Sequence, residues 1–136
     1  MKMKLVLIVA ALGLVVASRT VIAHHSFAAE FDANKPINLT GVVTKIEWMN
    51  PHTYFYLDVS EGDKVTNWGL EMGSPNGLMR QGWTRNSIKP GDEVTVEGSS
   101  SKDGSNNVNV KVAILAGTGQ RLFGNSSQTA ADTPVR

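Results

Sequence analysis

The chain reads as an all-β domain carrying one short helix, and three observations point there. Apolar residues recur at every second position in several separate segments, the period of a strand with one buried face. Clusters of glycine, proline, asparagine and aspartate punctuate those segments as turns do. Only one segment carries both the start and the stop signals of a helix.

The first strand is expected over Ile37 to Trp48. Ile37, Leu39 and Val43 share one parity, while Val42, Ile46 and Trp48 share the other. The apolar face therefore switches near Gly41, and a glycine at a switch predicts a β-bulge or a sharp coil. Asn50-Pro51 ends the run. Thr53 to Val59 gives a second strand, with Phe55, Leu57 and Val59 on one face and Tyr54, Tyr56 and Asp58 on the other. Glu61-Gly62-Asp63 is a hairpin turn, and Val65 to Met72 is the third strand, with Trp68, Leu70 and Met72 alternating.

At Ser74 the pattern changes. Ser74 suits an N-cap, Pro75 the first helical position and Gly82 the residue after the last turn, so a helix is predicted near Ser74 to Gln81. Leu78 and Met79 are expected to plug one end of the core. Lys89-Pro90-Gly91-Asp92 turns into a fourth strand, Glu93 to Gly98; Asp103-Gly104 turns again, and Val108, Val110, Val112 and Ile114 mark the fifth. Leu57, Trp68, Leu70, Val94, Val96 and Val110 should be buried. Five strands, a coiled first strand and one helix between the third and fourth describe a small five-stranded OB-fold-like barrel. Another small antiparallel barrel or sandwich is the alternative.

The ends of the chain differ from this middle. Lys2 and Lys4 precede an uninterrupted apolar run, Leu5 to Ala17, which is shorter than the roughly 20 residues of a spanning helix. A basic start, such a run and small residues before a cleavage point define a secretory signal. Cleavage after Ala23, with Val21 two residues before it, would begin the mature chain at His24; cleavage after Ala17 is the other fit, and an uncleaved anchor the competing reading. The expected organisation is a signal peptide over 1–23, an OB-like domain over 24–123 and a loose polar tail over 124–136, whose composition cannot offset its ordering entropy. No membrane span remains after processing, and the location is periplasmic or secreted. Cysteine is absent, so neither disulfides nor a lipidated cysteine support or anchor the domain.

Charge narrows the partners. Processing would remove three of the 13 basic residues (Lys2, Lys4 and Arg19) and none of the 12 acidic ones, turning a net charge of +1 into −2. Nucleic-acid binding rests on a clustered basic footprint, and the remaining lysines and arginines are scattered, so no nucleic acid is expected. The partner classes left are an unknown periplasmic protein or a small ligand. No cysteine nucleophile, Gly-x-Ser-x-Gly elbow or phosphate loop is present, and no two carboxylates are marked as an acid/base pair. The chain therefore reads as a binding protein rather than an enzyme.

One group of motifs is more specific. His24-His25-Ser26-Phe27 (HHSF), Asn50-Pro51-His52 (NPH), Asn67-Trp68, Glu71-Met72-Gly73-Ser74-Pro75-Asn76 (EMGSPN) and Gly82-Trp83-Thr84-Arg85 span most of the mature chain. Together they resemble a family of small exported bacterial proteins of unknown function. That resemblance implies a periplasmic or secreted location and an OB-like barrel, and it implies no activity.

The histidines carry the sharpest chemistry. Only His24, His25 and His52 occur, and the first two stand at the expected new N-terminus. Imidazole nitrogens suit copper, zinc and nickel, and an N-terminal histidine also offers its α-amine. His24, His25 and His52 are therefore the candidate metal ligands, for copper ahead of zinc; a mobile terminus and a backbone-bonded loop histidine is the bland alternative. Tyr54, Tyr56 and Glu71 form the candidate ligand face, because OB barrels use strands two and three for ligands. The alternative there is a cover of Phe27 and Phe31 from the N-terminal segment. Mass spectrometry of the exported protein should give a chain starting at His24; a chain starting at Ser18, or uncleaved Met1, would remove the N-terminal ligands.

Overall fold

The computed structural model describes residues 27–124, and His24 and His25 lie outside the described residues. The described chain is all-β, with two short helices. In order these are α1 (Phe27–Glu30), β1 (Phe31–Glu47), β2 (Tyr54–Glu61), β3 (Lys64–Glu71), α2 (Pro75–Arg80), β4 (Glu93–Ser101), β5 (Asn107–Leu115) and β6 (Arg121–Phe123). Among them no helix is long and apolar enough to cross a membrane.

The strands form one sheet in the order β3-β2-β1-β4-β5-β6, and β3 also pairs with β5. That extra pairing is parallel and joins Gly69, Leu70 and Glu71 to Asn107, Val108 and Asn109; the other pairings are antiparallel. The circuit β1-β2-β3-β5-β4 therefore returns to β1, and α2 lies in the chain between β3 and β4. β1 makes this possible. At 17 residues it is long enough to pair with β4 through its first two thirds and with β2 through its end.

The expected core is present with one exception. Leu57, Leu70, Val94, Val96 and Val110 are fully buried, together with Phe55, Met72, Leu78 and Val108. Trp68 is only partly buried and packs against that core from its margin. Its ladder partner is Leu57. Trp83 is buried at 2 % exposure and donates its Nε1–H to Phe123 O at 2.8 Å, the partner a buried indole requires.

Three details of the sequence reading are corrected. The parity switch in β1 lies between Val43 and Lys45, not at Gly41. Leu39, Gly41 and Val43 all face inward, and Val42 is 43 % exposed. Gly41 answers a different need, since a Cβ there would meet Asp58 O at 2.5 Å, inside any real contact, where β2 crosses closely. Secondly, there are six strands, not five. The turn after Leu115 sends Arg121–Phe123 back along β5, and Leu122 is buried. Gly124, the first residue of the expected tail, is bonded into this region through Gly73 N–H to Gly124 O and Gly124 N–H to Lys111 O. Thirdly, Leu78 alone plugs the end of the core, while Met79 is 51 % exposed; one turn of helix presents only one of two consecutive residues inward.

The helix itself follows its signals. Ser74 is the N-cap, its Oγ accepts from Gly77 N–H at 3.2 Å, and Pro75 opens the helix. Gly82 then takes φ +93°, a left-handed conformation suited to glycine. Replacing Leu70 by alanine should cost about 2–5 kcal/mol in urea unfolding, the usual range for a buried leucine. An unchanged midpoint would contradict the position of β3 in the core.

Candidate functional site

Since Phe55, Leu57 and Val59 are buried, the alternation of β2 turns Tyr54, Tyr56 and Asp58 to the outer face. His52 precedes β2 with the same parity. Register then decides which carboxylates meet these side chains. Tyr54 stands opposite Glu71 on β3 and opposite Glu47 on β1.

The result is a row of phenol–carboxylate pairs. Tyr54 donates its hydroxyl to Glu71 Oε2 at 2.7 Å, and Tyr56 donates to Glu47 Oε2 at 2.9 Å. Lys45 also bonds Glu47 and lies 5.5 Å from the centre of the Tyr56 ring, within cation–π range. Lower on the same face Asn67 donates to Asp58 Oδ1 at 2.7 Å. Glu47 is held below the usual carboxylate range, first by Lys45 and then by Tyr56.

His52 adjoins this row. Its Nδ1 lies 3.1 Å from Met72 O. A carbonyl oxygen only accepts, so Nδ1 carries the hydrogen and donates it. Glu71 Oε1 is 3.7 Å from the same nitrogen. The other ring nitrogen, Nε2, is thereby left as the one able to offer a lone pair, on a side chain 39 % exposed.

Of the residues singled out from sequence, the fold brings His52, Tyr54 and Glu71 together and sets Tyr56 one pair along with Glu47. Among the described residues no group of three histidine, cysteine or acidic side chains could hold a metal ion; the other two candidate histidines are not among them. The N-terminal segment approaches the same face. Phe27 and Phe31 stack with ring centres 6.0 Å apart, Phe31 is buried, and Ala29, Glu30 and Phe31 share a cleft with Tyr54 and Glu71. The segment approaches this face without closing it, and Tyr54 and Tyr56 remain half-buried.

The cleft has a volume of about 420 Å³, and its far wall is the β4–β5 turn with Ser101, Asp103, Ser105 and Asn107. From sequence Asp103-Gly104 reads only as a turn. The serines on both sides of it were the overlooked signal, because they lock the carboxylate. Ser105, through its side chain and its N–H, and then the Ser101 hydroxyl hold Asp103 down to about 2. The parts of Glu47 and Glu30 were equally hidden, since register across β1 and β2 and the fold of α1 decide them.

Both tyrosines are held above their ordinary value. For Tyr54 the first cause is burial and the second its bond to Glu71; for Tyr56 the bond to Glu47 comes first and burial second. A raised folded-state value means that the folded chain keeps a proton the unfolded chain gives up. Stability from these pairs is therefore complete below the ordinary phenol value of about 10 and falls as pH rises above it. Tyrosinate absorbance should stay low through about pH 10 and rise together with unfolding. Full ionisation of both tyrosines near pH 10 in a protein that remains folded would contradict the pairing.

No curated protein matches the chain. A family model, described as a family of unknown function (DUF6152), matches residues 11–109. That span includes His52, both tyrosines and Glu71, and the chain belongs to this family.

Proposed function

We propose that the chain is an exported periplasmic binding protein, an OB-type barrel that holds copper through His24, His25 and His52. The closed circuit of five strands, with a helix between the third and fourth, supports the OB-type reading. The observation that carries the metal reading is the His52 ring. A backbone carbonyl and a carboxylate on the Nδ1 side, with Nε2 left over, is how a ligating histidine is oriented in metal sites. Three residue steps lead from His24 to Phe27, about 10 Å of extended chain, and α1 lies at the cleft that Glu71 also lines. An α-amine and imidazoles arriving there would give the nitrogen-rich set that copper prefers, ahead of zinc.

A second reading, a module that binds a small ligand or partner protein without metal, is favoured by the cleft itself. Copper and zinc titration of the mature protein separates the two. We expect copper to bind more tightly than zinc, and His52→Ala to weaken it by about tenfold or more. A variant with one residue added before His24 should lose a similar amount. Equal binding by all three proteins, or none at about micromolar metal, would leave the metal-free module.

A further inference from the structure

Asn76-Gly77 is the single Asn-Gly step in the chain, and its reactivity is intrinsic to the pair. Glycine has no Cβ to shield its nitrogen and gives the backbone freedom to bend. In an open chain that nitrogen therefore reaches the carbonyl carbon of the preceding asparagine amide.

The fold holds the two groups apart. Both residues lie in the first turn of α2, where helical backbone aims the Gly77 N–H at the N-cap and away from the Asn76 side chain. That N–H donates to Ser74 Oγ at 3.2 Å, and the next one, Leu78 N–H, donates to Ser74 O at 2.9 Å. Gly77 is buried, whereas Asn76 is exposed. The electrophile thus stands in water while its nucleophile is held in the cap. The hold is only as good as a helix of six residues. So short a helix has little stability of its own and depends on its cap and on the burial of Leu78 in the core. Elements of this kind open locally far more often than the whole domain unfolds.

We infer that Asn76 is a deamidation site gated by the Ser74 cap, closed while α2 is formed and reactive when α2 opens. On opening, Gly77 N gives its proton to hydroxide and attacks Asn76 Cγ. The Cγ–Nδ2 bond breaks, and ammonia leaves with a proton taken from water, which closes a succinimide ring. Water then adds at either ring carbonyl. Opening at Cγ gives aspartate in a normal backbone, a residue that suits the first turn of a helix. Opening at the main-chain carbonyl gives isoaspartate, which routes the backbone through the side chain and lengthens it by one carbon. Helical hydrogen bonds cannot keep their spacing across that extra atom, so this product displaces Leu78 from the end of the core. The conversion is a one-way record of α2 opening, and it needs neither metal nor ligand.

The test is peptide mapping by mass spectrometry after incubating the mature protein in mildly alkaline buffer, folded and in urea. Asn76 should convert in urea, and about tenfold or more slowly in the folded protein, where reaction waits on a minority open state. Ser74→Ala should raise the folded rate about fivefold, the usual worth of a lost cap, and leave the rate in urea unchanged. Ser74→Asp, an equal cap, should restore the protection. The comparison of folded with unfolded chain uses the unaltered protein, so it stands even if Ser74→Ala fails to fold. No conversion of Asn76 in urea would overturn the site. Equal rates in folded and unfolded protein, or a folded rate indifferent to Ser74→Ala, would overturn the gating by the cap.

Discussion

Three residues of parallel pairing, Gly69–Glu71 against Asn107–Asn109, are the constraint on which the rest of the structure depends. Every other pairing joins antiparallel neighbours and would leave β3 and the first half of β5, ahead of the stretch that β6 covers, as open edges, available for pairing with other chains. The short parallel contact removes that opening and lets Leu70 and Val108 bury side by side. It also demands close approach. Asn107 Oδ1 would lie 2.5 Å from a Cβ at position 69, so any larger residue there must displace the Asn107 side chain. With that contact made, Glu71 is held at a defined height between Tyr54 and Asn109, and the outer face acquires its polar row.

Inner and outer faces thus divide the labour. The inner face carries nearly all the apolar burial, as a domain without disulfides must. The outer face of β2 and β3 is spent on polar pairs, which contribute modestly to stability when half-exposed but fix side chains in place. His52 shares in this: with Nδ1 committed to Met72 O, its ring has one orientation, set by backbone that is itself locked by Thr53 N–H to Gly73 O and Met72 N–H to Thr53 O. A binding site benefits from such ordering before the ligand arrives.

Much of this was legible in the chain. The alternation of Phe55, Leu57 and Val59 against Tyr54 and Tyr56 gave the two faces of β2 directly, and Ser74-Pro75 marked the helix start. These signals are local, and local chemistry decides them. The bulge after Val43 was misplaced because apolar parity has two possible switch points there, and only pairing with β2 selects one. β6 was missed because three residues carry too little pattern, and its stability comes from Leu122 and the Trp83 bond across the fold. The partners of Tyr54 and Tyr56 were invisible for a related reason: register between strands chooses among Glu47, Glu71 and Asp58.

The central claim is that His52 presents Nε2 to a copper ion also held by the N-terminal histidines. Electron paramagnetic resonance of the Cu(II)-loaded mature protein, with and without ¹⁵N-labelled histidine, tests it most directly. The account predicts couplings from several nitrogens, changed by the label and reduced in number by His52→Ala. A spectrum of oxygen ligands alone, or one indifferent to both label and substitution, would contradict it.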